Sequence, residues 1–183
     1  MHFWTLEEAK RWVPAVDFGP EPLEQAGGVE RPFSLRADFG GLPLTRLPGV
    51  LTGAVEAVGA CKWWLLWMDV GPAQWTGGNT HLYYRLRQSY QDFRLLDEAP
   101  CHLFYKHEWP DLLTFLQVGV LNLWNIHVVT DLDRGRLFVS HDEWLNATSI
   151  DDMAQLRDAL VRPAGTATPT PTPTPTSAAA EER

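Results

Sequence analysis

Trp63 to Met68, within the stretch KWWLLWMDV (Lys62–Val70), carries apolar side chains at every successive position and so leaves no polar face for water. A run this short, apolar on both sides, fits a β-strand in the middle of a sheet covered above and below. It is too short to cross a bilayer. One such strand commits the chain to a layered fold, with other segments packed on both faces of a sheet.

The flanking sequence supplies the layers. Thr5-Leu6-Glu7-Glu8 has the pattern of a capping box, in which the threonine hydroxyl and the glutamate carboxylate satisfy free amides at a helix start. Pro14 ends that helix. Residues 17–30 are rich in Gly and Pro and read as a loop. Phe33 to Ala37 alternates at period two, as an edge strand would. Val50, Leu51, Ala54, Val55 and Val58 fall at helical spacing. After Lys62–Val70 comes a helix over Thr80 to Arg94, with Leu82, Leu86, Tyr90 and Phe93 as its buried face. A strand follows over Cys101–Tyr105, then a helix opened by Pro110 and carrying Leu112, Leu113, Phe115, Leu116 and Val120. Trp124, Ile126 and Val128 mark another strand. The turn Asp131-Leu132-Asp133-Arg134-Gly135 returns it as Arg136–Ser140. Ser149-Ile150-Asp151-Asp152 predicts a last helix with Met153, Leu156 and Leu160 inside.

From residue 62 onward the order is βαβαββα. This predicts an α/β (or α+β) domain with a mixed, partly parallel sheet and helices covering it. The single globular domain should occupy residues 1–163. The Thr-Pro repeat over Thr168–Thr176 can neither form regular hydrogen bonds nor bury apolar area, so 164–183 is expected to be a disordered tail.

Acidic residues outnumber basic ones, 23 against 15, for a net charge of −8. This argues against duplex nucleic acid, which needs a basic footprint, and permits a basic protein partner or a metal ion. Nine tryptophans provide contact area for either a core or an interface. Cys61 and Cys101 stand alone, without a CxxC, as buried free thiols would. No segment resembles a signal peptide or a membrane span, so the expected location is cytoplasmic with no membrane partner.

If the strands at 62–70, 101–106 and 124–130 run parallel, their carboxyl ends gather Asp69, His107, Glu108, Asp131 and Asp133 on one edge, where open α/β sheets bind ligands. Asp69, His107, Glu108 and Asp131 would then suit a divalent metal or an acid–base pair. The phrase Leu103–Trp109, closed by His-acid-Trp, is echoed by Leu137–Trp144. The intervening hairpin sends His107 and His141 to opposite edges, which argues against one shared metal site. His141, Asp142, Glu143 and Trp144 combine exposed acids with an aromatic and read as a binding surface. Tyr83 and Arg87, with Tyr90 and Arg94, form an aromatic-basic stripe suited to a protein contact. There is no GxGxxG, P-loop or GxSxG.

The reading that results is a small acidic protein-binding module without a catalytic motif, an immunity or antitoxin-type protein being one concrete form. No cofactor is expected. The alternative is a metal-dependent hydrolase with an acidic/His site on the carboxyl edge, and only this reading calls for a divalent metal.

Overall fold

Alternation within each strand divides the apolar side chains between two faces of a single sheet, and each face has its own core. In the structure, a computed structural model that describes residues 1–13, 33–59, 61–68, 77–150 and Ala154, the elements run in the following order. They are β1 (His2–Trp4), α1 (Leu6–Trp12), β2 (Phe33–Asp38), α2 (Leu47–Ala57), β3 (Trp63–Met68), α3 (Gly77–Ser89), β4 (Cys101–Tyr105), α4 (Trp109–Leu121), β5 (Ile126–Thr130), β6 (Gly135–Val139) and β7 (Trp144–Ser149). The expected tail and most of the expected last helix lie outside the described residues; Ala154 is helical.

The strands form one seven-stranded sheet in the order β1-β4-β3-β5-β6-β7-β2. β3 is an interior strand, flanked by β4 and β5, and is buried from Trp64 to Met68. β2 is an edge strand, as its alternation predicts, and its exposure alternates residue by residue. Trp64, Leu66, Met68, Phe104, Ile126, Val128, Leu137, Val139 and Leu145 share one core with residues of α2, α3 and α4. Leu65, Trp67, Cys101, Leu103 and Val129 point the other way and pack with Ala9 and Val13, in and just after α1. The capping box is present: the Glu8 amide donates to Thr5 Oγ1 at 3.1 Å and the Thr5 amide to Glu8 at 2.8 Å.

The α+β reading holds, but every strand pairing is antiparallel, which corrects the expectation of parallel neighbours. β4-α4-β5 is a true crossover, so β4 and β5 run in the same direction. β3 lies between them and runs against both. The cause lies in residues 90–100, too long for an ordinary connection of about 2–6 residues between a helix and a strand. This segment doubles back along α3: the Leu96 amide donates to Tyr84 Oη at 3.1 Å, and Arg87 Nη1 to the Ala99 carbonyl at 3.1 Å. It therefore delivers β4 to the edge where β3 ended.

Two edges follow from the registers. The lower edge holds Trp63, Tyr105, Thr130 and Gly135. The upper edge holds Met68, Cys101, Ile126, Val139 and Trp144.

Candidate functional site

β4 and β5 both finish at the lower edge, so His107, Glu108, Asp131 and Asp133 do leave the sheet on the same side. Asp69 lies outside the described residues; Met68, which precedes it in sequence, is at the upper edge because β3 is antiparallel to its neighbours. The acids that do share the lower edge have structural partners. Glu108 accepts from the Tyr105 amide at 2.9 Å and ion-pairs with the Met1 amino group. Burial alone would raise the Glu108 pKa, but these hydrogen bonds outweigh it and hold the carboxyl below its ordinary value. Asp131 accepts from the Lys62 amide at 3.1 Å. Asp133 forms a two-pronged ion pair with Arg136, each contact 2.8 Å. His107 is exposed and stacks on Tyr105, with ring centroids 5.9 Å apart. Among the described residues no group of three or more His, Cys, Asp or Glu side chains converges as a metal site.

The two thiols are poor nucleophiles. Burial pushes both Cys61 and Cys101 up to about 12, and the Asp131 carboxylate adds to this for Cys61.

Tyr83 and Arg87 are in the interior, which corrects the surface stripe expected on α3. Both side chains are fully buried, while Leu82 and Phe93, expected inside, are 42% and 77% exposed. The pattern misleads because Arg87 looks like a surface residue. Its charge is tolerated because each of its three nitrogens has an acceptor. Arg87 Nε and Nη2 donate to Asp92 Oδ1 at 3.1 and 2.6 Å, and Nη1 donates to Tyr83 Oη and to the carbonyls of Leu95 and Ala99. A guanidinium only donates, so the Tyr83 hydroxyl accepts from Arg87, and it shares a further hydrogen bond with His102 Nε2, 2.8 Å away.

Two histidines are buried and neutral. Burial, with the nearby Arg87 charge, lowers His102 to about 3, and burial lowers His127 to about 4. Neither ring nitrogen of His127 has a hydrogen-bond partner among the described residues. The ring stacks on Trp67 at 4.8 Å and meets Phe138 at 4.7 Å. In the unfolded chain both histidines titrate near the ordinary value of about 6.5. As pH falls from there toward 4, the unfolded state binds up to two more protons, so stability is present above 6.5 and lost below it. The limiting slope is about 2.7 kcal/mol per pH unit. Urea unfolding at pH 7.5, 6 and 5 should show a falling midpoint, and His127→Phe should flatten the fall. Equal midpoints at all three values would contradict this account of the two rings.

The upper edge carries a different surface. β6 turns into β7 through Ser140–Glu143, where the Glu143 amide donates to the Ser140 carbonyl at 3.2 Å and the Ser140 amide to Trp144 at 2.8 Å. Glu143 has φ of +62°. A turn of this kind normally places glycine at its left-handed position, and an L-residue there costs roughly 1–2 kcal/mol. The Glu143 carbonyl accepts from the amides of Phe39 and Gly40, and the Asn125 side chain accepts from the His141 amide at 2.8 Å and contacts Nδ1 at 2.9 Å. The turn is thus fixed from two sides while His141, Asp142 and Glu143 remain exposed.

Trp144, half-buried, stands beside them. The Arg36 guanidinium lies 4.0 Å over its ring, and Phe138 meets it edge-on at 5.2 Å. Through Phe138, His127 and Trp67 this continues as an aromatic ladder across the sheet, which no spacing in the sequence announces because its members come from four strands. Asp38, paired with Trp144 in register, adds a third exposed acid. His107 and His141 leave from opposite edges, as the hairpin argument requires. Trp64, Trp67 and Trp124 are buried, whereas Trp12 is 46% exposed.

Comparison of the chain with protein-family models, with characterised proteins and with solved structures finds no match.

Proposed function

We propose that this chain is a protein-binding module that engages a basic partner through the upper edge of its sheet, an immunity or antitoxin-type role being one concrete form. The observation that carries the reading is the Ser140–Trp144 turn. It presents Asp142 and Glu143 to solvent beside a half-buried tryptophan, on a backbone fixed by Asn125, Phe39 and Gly40. Glutamate at the left-handed position is costlier than glycine there, and such backbone strain is typical of functional segments. Acids around an aromatic on a rigid turn suit a partner with a basic rim, since charge complementarity guides encounter and register. The net charge of −8 favours the same class of partner.

The hydrolase alternative would need Asp69, His107, Glu108 and Asp131 in one coordination shell. Among the described residues the lower edge does not favour it, because Glu108 and Asp131 already hold Met1, Tyr105 and Lys62.

Charge reversal tests the binding reading. Asp142→Lys with Glu143→Lys should reduce retention of the partner from an extract of the native host at least tenfold. The thermal midpoint should stay close to that of the unchanged chain, because both side chains are exposed. A variant that retains the same protein equally well would sink the proposal.

A further inference from the structure

Phe93 is the most exposed large apolar side chain among the described residues, at 77%, and Leu95 two residues on is 54% exposed. Isolated exposed apolar residues need no explanation. These two differ because the backbone that carries them is held at nearly every position. Gln91 adopts φ of +61° after α3, and the amides of Tyr90, Gln91 and Asp92 donate to the carbonyls of Arg87 and Gln88. The Asp92 carboxylate binds the buried Arg87 on one side. On the other it accepts from the Arg94 amide at 3.0 Å and from Arg94 Nε at 2.9 Å. Phe93 is therefore pinned through both of its neighbours. The Leu95 amide donates to Glu98 at 2.6 Å, Leu96 to Tyr84 Oη, and Glu98 and Ala99 to the Leu95 carbonyl. Arg94 Nη2 also donates to the Phe3 carbonyl at 2.7 Å, which ties the loop to β1.

An exposed aromatic side chain on a backbone already held in place leaves less chain to order on binding. Such residues are the usual centres of an interface, where they fill a desolvated pocket. The charges nearby indicate what surrounds that pocket. Asp97 and Glu98 are exposed beside Leu95, whereas the one cation between them and Asp92 is Arg94, already paired with Asp92. The loop feeds β4 at the upper edge, where Asp142 and Glu143 also lie.

We propose that Phe93 and Leu95 are the anchor by which this chain inserts into an apolar pocket, rimmed by lysine or arginine, on its partner protein. The proposal rests on the protein-binding reading above and names residues that would anchor the partner. The buried Asp92–Arg87–Tyr83–His102 chain is then the support of that anchor, and Tyr83 and Arg87 position it without touching the partner.

The test is photo-crosslinking in the native host with the full chain. Phe93 is replaced by the photoreactive residue p-benzoylphenylalanine, and a separate chain carries the same residue in place of Asp142. The expected result is one discrete adduct from position 93, mapped to an apolar pocket flanked by Lys or Arg on a single partner. Its yield should fall at least fivefold when Asp97→Lys is added. The absence of a discrete adduct, an adduct with a second copy of this chain, a pocket without basic flanks, or a yield indifferent to Asp97→Lys would each overturn the proposal. If position 142 captures a partner and position 93 does not, the anchor falls while the binding module stands. If neither captures one, both fall. Phe93→Ser, which removes only exposed surface, should leave the thermal midpoint nearly unchanged and so separates loss of contact from loss of fold.

Discussion

Asp92→Ala is expected to destabilise the protein by about 3–5 kcal/mol, the usual consequence of stranding one member of a buried ion pair. For a domain of this size that corresponds to a fall in Tm on the order of 10 °C. The Arg87 guanidinium, fully buried, would lose the only carboxylate it contacts among the described residues. It would keep neutral acceptors on Tyr83, Leu95 and Ala99. Burial opposes ionisation of Asp92, yet the hydrogen bonds from Arg94 and Arg87 hold its carboxyl below the ordinary value, so the carboxylate is the form the fold uses. The double variant Arg87→Met/Asp92→Ala removes the buried charge together with its partner. It should be more stable than Asp92→Ala alone, measured by urea unfolding. A single variant within about 0.5 kcal/mol of the unchanged chain would show that Arg87 reaches water or another anion.

Gly135→Ala should cost a comparable amount, for a steric reason. A Cβ on Gly135 would lie 2.0 Å from the Val58 carbonyl oxygen and 2.6 Å from its carbon. Those are backbone atoms immediately after α2, so no side chain can rotate aside. Either α2 or β6 must move, and both border the main core. Overpacking a well-filled core costs typically about 1–3 kcal/mol where side chains can yield, and rigid backbone should place this variant at or above the top of that range. Thermal unfolding checks it: a loss of under about 0.5 kcal/mol would mean that α2 and β6 are not held as closely as the structure has them.

What the sequence revealed depended on how local the determining interaction was. The capping box at Thr5 and Glu8 spans four residues and was readable. So were the central strand, apolar on every side, the edge strand at Phe33, and the helix opened by Pro110. β7 was missed because Ala147 and Ser149, two of its buried residues, are small, and Ser149 resembles a helix cap. Strand direction was missed because it is decided by the return of residues 90–100 along α3, through contacts such as Leu96 to Tyr84 that no periodicity encodes. The same contacts explain the error on α3. Arg87 is acceptable inside only because Asp92, Tyr83 and two carbonyls converge on it, and that convergence exists only in the folded chain. The acids and tryptophan at 141–144 were visible as a phrase. Their relation to Arg36, Phe138 and Asp38 was not, because those residues come from other strands.

In the proposed binding mode the upper edge, and not the lower, meets the partner, and retention of host protein by matched variants tests this. The unchanged chain should hold a partner near one-to-one, and Asp142→Lys/Glu143→Lys should hold at least tenfold less at equal Tm. Asp131→Asn, at the lower edge, should retain as much as the unchanged chain once any change in stability is matched. Undiminished retention by the upper-edge variant, with loss confined to Asp131→Asn, would contradict the account.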